Sequence, residues 1–144
     1  LLGRSMGGGV ALAAAVARPD LFDALVLSSP VSSSAVDNFH RWVVPGSDLD
    51  ARVRATYGGP EENPRFWRQA SVRGYLDRVH VPVQVHHGTA DPVTPPAWSR
   101  ATVAALRAAG TTVESFEYPG EGHRLDAAWG TMARRITGFL KRHV

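Results

Sequence analysis

The sequence predicts an α/β domain built on a mostly parallel sheet, and three observations carry that prediction. Short apolar runs alternate with helical segments, glycine or proline punctuates the junctions, and the chain opens on a strand end that turns tightly into an alanine-rich helix. Strand, helix, strand, insertion, strand, helix, strand, helix is the order of a parallel sheet flanked by helices.

Each element has its own warrant. Leu1-Leu2-Gly3-Arg4-Ser5-Met6-Gly7-Gly8-Gly9-Val10 runs from an apolar strand end through a G-x-S-x-G turn into a helix. Such a turn forces the serine into strained geometry, and the bare Cα atoms of Gly3 and Gly7 are expected to prevent collisions between its flanks. Residues 7–17 read as a helix of small side chains able to lie close on a sheet, stopped by Arg18-Pro19-Asp20. Ala24-Leu25-Val26-Leu27-Ser28 is apolar without alternation, as in a strand covered on both faces, and Pro30 ends it. From Val31 to about Tyr75 the rhythm fails: a serine run, the aromatics Phe39, Trp42, Tyr57, Phe66 and Trp67, and turn signals at Pro45-Gly46 and Gly58-Gly59-Pro60 predict an irregular or helical insertion with one or two short helices. Regularity returns with a strand and turn over Pro82 to Gly88, a helix from Pro95 to Ala109 closed by Gly110, a strand from Thr112 to Tyr118 and a last helix from Arg124 to Arg142. With no repeat and no low-complexity linker, residues 1–144 read as a single domain.

Composition narrows the function classes. The 144 residues, 44% apolar and 20% charged, suit one globular core. The longest apolar stretch, Val10 to Ala17, falls far short of the roughly 20 residues that span a bilayer, so no membrane is expected. The absence of cysteine excludes disulfides, thiolate nucleophiles and zinc-thiolate sites. The compartment stays open, with the cytoplasm favoured. A net charge of +3 comes from scattered arginines. Only Arg134-Arg135 and Lys141-Arg142 are paired, on the solvated face of the last helix, so no nucleic-acid partner is expected. The oligomeric state is not legible.

A serine hydroxyl is a weak nucleophile until a base takes its proton, and the base works best when a carboxylate fixes its tautomer. Both partners lie just beyond predicted strands. Asp91 sits in His87-Gly88-Thr89-Ala90-Asp91-Pro92-Val93, and His123 in Tyr118-Pro119-Gly120-Glu121-Gly122-His123. Carboxyl ends of parallel strands gather at one edge, where Ser5, Asp91 and His123 would meet. With glycine and serine each near 7% of residues, a lone G-x-S-x-G arises by chance in ~5% of chains this long. Its place between strand and helix, followed by acid and then histidine, is far more specific.

Plainer roles stand beside these. Ser5 could be an ordinary turn serine, His123 a surface histidine, and Asp91 a cap on the helix near Pro95, with Glu121 and Asp77 as substitute acids. His86 and His87 point to opposite faces of a strand and cannot chelate one metal, so packing is expected of them and no metal site is predicted. His40 and His143 have no identifiable partners. Phe39, Trp42 and Trp67 are candidates for a substrate pocket, against the alternative that they hold the insertion to the core.

The elbow, the His87-to-Val93 and Tyr118-to-His123 segments, and Tyr75-Leu76-Asp77-Arg78-Val79 together resemble the C-terminal portion of an α/β-hydrolase fold, most closely the catalytic domain of prolyl oligopeptidase-like serine hydrolases. The resemblance spans nearly the whole chain apart from Val31 to Trp67. It implies that Ser5 is the nucleophile, His123 the general base and then acid, and Asp91 the residue orienting the histidine, with the Met6 backbone N–H as one oxyanion donor. A second donor would come from an earlier loop that these residues do not contain, and losing one such donor costs about 10²- to 10³-fold in kcat. The resemblance also implies strands before the elbow and often an N-terminal propeller, so the chain is expected to be an N-terminally truncated domain with an unpaired edge at Leu1-Leu2. It implies a small peptide or ester substrate and no cofactor, with a peptidase favoured, a carboxylesterase as alternative, and an inactive fragment or non-catalytic module as the reading from another class.

Overall fold

A computed structural model describes residues 1–144. Its centre is a four-stranded sheet of β1 (Leu2–Arg4), β2 (Leu25–Ser28), β3 (Val83–Gly88) and β4 (Val113–Tyr118), in that spatial order. All three pairings are parallel, with Gly3 opposite Leu27, Leu27 opposite Val85 and Val85 opposite Ser115. All strands therefore end at the same edge. The helices are α1 (Met6–Ala17), α2 (Ala35–Trp42), α3 (Asp48–Tyr57), α4 (Pro64–Ala70), α5 (Pro96–Ala108) and α6 (Trp129–His143), and a 3₁₀ stretch covers Val72–Arg78.

Alternation along the central strands divides the core in two. Leu25, Leu27, Val83 and Val85 pack with Ala11, Leu12, Ala15 and Val16 of α1 and with Val103 and Leu106 of α5. Val26, on the opposite face, packs with Ala24 and with Phe139 of α6. Both faces of β2 are covered, so every residue in it is buried, the pattern expected of a strand that lacks alternation.

Two boundaries differ from expectation. The insertion holds three α-helices and the 3₁₀ stretch, because each helix supplies its own cap. Ser34 Oγ accepts from the Asp37 amide, Ser47 Oγ from the Asp50 amide and Asn63 Oδ1 from the Phe66 amide. The last helix starts at Trp129 and not at Arg124, since Leu125 takes a left-handed φ of 58° that cannot propagate a helix. That turn buries Leu125 among Tyr118 and Met132.

β1 pairs on one side only, and Leu1 and Leu2 are exposed, as are Met6 and Val10 of α1. No helix is long and apolar enough to cross a membrane.

Candidate active site

Ser5 joins β1 to α1 at φ 54° and ψ −124°, a conformation L-residues rarely hold. The surroundings enforce it: the Ser5 amide donates to the Ser28 carbonyl at 2.9 Å, and its carbonyl accepts from Gly8 and Val31 at 3.0 and 3.1 Å. A Cβ on Gly3 would stand 2.3 Å from the Gly7 carbonyl oxygen, and one on Gly8 would stand 2.8 Å from Pro30 Cβ. Gly7, expected to need its missing side chain, has open space around its own Cα. The crowding acts on Gly3 against the Gly7 backbone, and on Gly8 against the turn after β2.

His123 lies in the loop after β4, with Nε2 3.0 Å from Ser5 Oγ and Nδ1 2.7 Å from Asp91 Oδ2. A carboxylate only accepts, so Nδ1 carries the proton and Nε2 is left to accept from the serine hydroxyl. The His123 side chain is 16% exposed, whereas that of Asp91 is fully covered. Asp91 Oδ1 accepts from the Val93 and Thr94 amides at 2.8 and 3.0 Å, and the Thr94 hydroxyl stands 2.9 Å from Oδ2. Burial alone would raise the Asp91 pKa, but these hydrogen bonds and the one from His123 outweigh it and hold the group below the usual carboxylate range. Asp91 is thus a buried anion with a full set of donors.

The acid turn and the histidine loop are stitched together. Thr89 donates to the Tyr118 carbonyl at 3.0 Å, Ala90 to the Glu121 carbonyl at 2.9 Å, and Gly120 to Thr89 Oγ at 2.9 Å. They approach so closely that a Cβ on Gly88 would lie 2.3 Å from the Glu121 carbonyl oxygen. From the insertion, the Arg41 guanidinium donates to the Pro92 and Val93 carbonyls and braces the same turn.

The plainer role for Asp91 is not the one its contacts describe, since its amide donors precede α5 and that helix, preceded by Pro95, has no side-chain cap. The carboxylates of Glu121 and Asp77 make no hydrogen bond to His123, which bonds Asp91. Met6 opens α1, where an amide has no acceptor within the helix and can face a developing negative charge. Phe39 and Trp67 are buried against each other with ring centroids 4.7 Å apart, and the Trp67 indole donates to the Gly58 carbonyl. Trp42 is half exposed beneath the Arg41 guanidinium. Two cavities of about 380 and 390 Å³ lie among the insertion helices; Trp67 lines both and Phe39 one, and neither includes Ser5 or His123. Phe39 and Trp67 thus pack within the insertion, whereas Trp42 contacts the neighbouring Arg41 side chain.

His86 and His87 do face opposite ways. His86 sits between the Tyr118 hydroxyl and Gln84 Oε1, each at 2.8 Å, and burial pushes its pKa down to about 4. His87 contacts the acid itself, with Nε2 3.1 Å from Asp91 Oδ2. Neither that contact nor the Thr94 hydroxyl is anticipated by the sequence reading. A threonine three residues after the acid, at the foot of a helix, was the available signal for the latter.

The model of the prolyl oligopeptidase family matches residues 1–144. Esterase LipQ of Mycobacterium tuberculosis is 38% identical over 101 residues, 69% of this chain and 23% of that protein. The dipeptidyl peptidase 4 of Porphyromonas gingivalis superposes with a TM-score of 0.76 at 19% identity, covering 99% of this chain and 19% of that one. Est1E from Butyrivibrio proteoclasticus superposes at 0.73 and 20% identity, over 99% of this chain and 59% of that one. The chain therefore spans about a quarter or less of the length of LipQ and of the peptidase. These likenesses share one fold, the α/β-hydrolase sheet with its helices.

Proposed function

The chain belongs to the prolyl oligopeptidase family, and from that premise we propose that it carries the reacting groups of a serine hydrolase working by acyl transfer. The observation that carries this reading is the line from Ser5 Oγ through the His123 ring to Asp91 Oδ2, with gaps of 3.0 and 2.7 Å, built on a serine at φ 54°.

In this reading Ser5 Oγ attacks an ester or amide carbonyl carbon while His123 Nε2 takes the hydroxyl proton. Asp91 keeps the Nδ1 proton in place and stabilises the imidazolium. The carbonyl oxygen becomes an oxyanion that turns toward the Met6 amide at the positive end of α1. The tetrahedral species collapses as His123 returns its proton to the departing amine or alcohol, leaving an acyl-serine. Water, deprotonated by the same nitrogen, then releases the acid and restores the serine.

Short peptides are the favoured substrates, on the family membership and the likeness to the peptidase. Esters are the second reading, favoured by the 38% identity to an esterase. A fluorophosphonate probe should label Ser5, and labelling that survives Ser5→Ala would sink the acyl-transfer reading. Rates on an aminoacyl p-nitroanilide and a p-nitrophenyl ester then separate the substrate classes; amide turnover at background would rule out the peptidase.

A further inference from the structure

Asp91 Oδ2 lies between two imidazoles. On the open side is His123. On the buried side is His87, near the end of β3, with a ring that is 1% exposed and Nε2 3.1 Å from the same oxygen. The Thr94 carbonyl stands 2.9 Å from that Nε2, so both of its close neighbours are acceptors and the nitrogen must carry the proton. His87 Nδ1, left bare, accepts from the Ser99 hydroxyl of α5 at 2.6 Å. Burial keeps the His87 pKa below the usual histidine range despite the pull of the Thr94 carbonyl and of Asp91, so the ring is neutral at physiological pH. Its tautomer is the mirror of the one at His123.

We propose that His87 is a positioning residue for the reaction at Ser5: its Nε2–H holds the Thr94 carbonyl, and with it the turn whose amides and hydroxyl keep the Asp91 carboxylate in line with His123, with Ser99 fixing its tautomer from behind. The proposal rests on the acyl-transfer reading above. The physical argument lies in what holds the donors of Asp91 in place. A carboxylate has about four lone-pair sites. Two on Oδ1 are taken by the Val93 and Thr94 amides, and His123 takes one on Oδ2. The Thr94 hydroxyl takes the other at 2.9 Å, closer than its alternative acceptor, the Ser29 carbonyl at 3.2 Å. The His87 N–H goes to the Thr94 carbonyl at 2.9 Å and pins the turn whose amides grip Oδ1 and whose hydroxyl grips Oδ2, while the ring nitrogen stands 3.1 Å from Oδ2. Without it, the Thr94 turn would lose its anchor to β3, and the carboxylate that turn holds would be free to rotate away from His123 Nδ1.

The test compares two substitutions in the full-length protein. His87→Leu keeps bulk and removes the donor, whereas His87→Gln places an amide N–H near the position of Nε2. For His87→Leu, kcat should fall about tenfold to a hundredfold, the scale for loss of a residue that orients a reacting group's partner, with KM within about twofold. The low-field His123 Nδ1 proton resonance should also weaken or shift. His87→Gln should recover kcat to within about threefold and restore the resonance. Equal losses in both variants, or an unmoved resonance with a raised KM, would overturn the positioning role and leave His87 a packing residue. Should His87→Leu not fold, Ser99→Ala carries the test: kcat falls about threefold and the same resonance moves, and no change in either overturns the proposal. Absence of fluorophosphonate labelling in the unaltered protein would overturn both this and the acyl-transfer reading, whereas normal labelling with unaffected His87 variants tells against His87 alone.

Discussion

Two serine–histidine pairs converge on one carboxylate, and they differ in almost everything but composition. The outer pair, Ser5 and His123, sits at the carboxyl edge of the sheet with the serine half buried and its backbone strained. The inner pair, Ser99 and His87, lies between β3 and α5 with both residues buried, and the serine is an ordinary helical residue. The rings are reversed as well: Asp91 faces Nδ1 of one and Nε2 of the other. Pairing alone therefore does not make a nucleophile. On the acyl-transfer reading, what distinguishes Ser5 is access to an incoming carbonyl, and a turn that holds its hydroxyl out to meet one.

The sharpest way to break this contrast is to remove each serine. Ser5→Ala should cost about 10⁶-fold in kcat and abolish fluorophosphonate labelling, while Ser99→Ala should still label at Ser5. Labelling at Ser99 in either protein would undo the distinction. Next in size is the shared acid. Asp91→Asn should lower kcat about 10⁴-fold with the protein still folded, because an amide can hold the wrong His123 tautomer; circular dichroism beside steady-state kinetics checks it.

A smaller effect tests whether burial of a β3 histidine bears on stability alone. An unfolded histidine titrates near 6.5, and His86 in the fold near about 4, so between these values only the unfolded chain binds the proton. Stability contributed by neutral His86 is complete above 6.5 and should fall by about 3 kcal/mol as the pH drops to 4. Urea midpoints across that window should show the slope, and His86→Phe should flatten it. Last, Gly88→Ala should cost about 2 kcal/mol in urea unfolding by forcing the acid turn away from the histidine loop, and should lower kcat more than it raises KM.

The regular half of the fold was legible because its signals are local. β2 is an apolar run with no alternation, α5 has proline at its start and Gly110 after its end, and the order of Ser5, Asp91 and His123 along the chain follows strand order. The insertion was harder, since its helices are short and rest on caps at Ser34, Ser47 and Asn63 more than on a continuous apolar stripe. The late start of α6 turns on the backbone of Leu125, which no propensity favours. His87 was read as packing, and its approach to the acid was not foreseen, because alternation assigns a side chain to a face and is silent about what waits there. Arg41 reaches the acid turn from a segment whose proximity only the folded chain creates, whereas Thr94 lies three residues after the acid and its signal was local.

The stitching of the two loops also bears on motion. Asp91 and His123 hang from adjacent strands, β3 and β4, and are joined by three cross-loop hydrogen bonds, while Ser5 hangs from β1 with β2 between. Flexing of the sheet therefore carries acid and base as one body and is taken up in the gap to the serine. Fluctuations on the nanosecond to microsecond scale would modulate how often Ser5 is within reach of its base, leaving the imidazole's tautomer undisturbed.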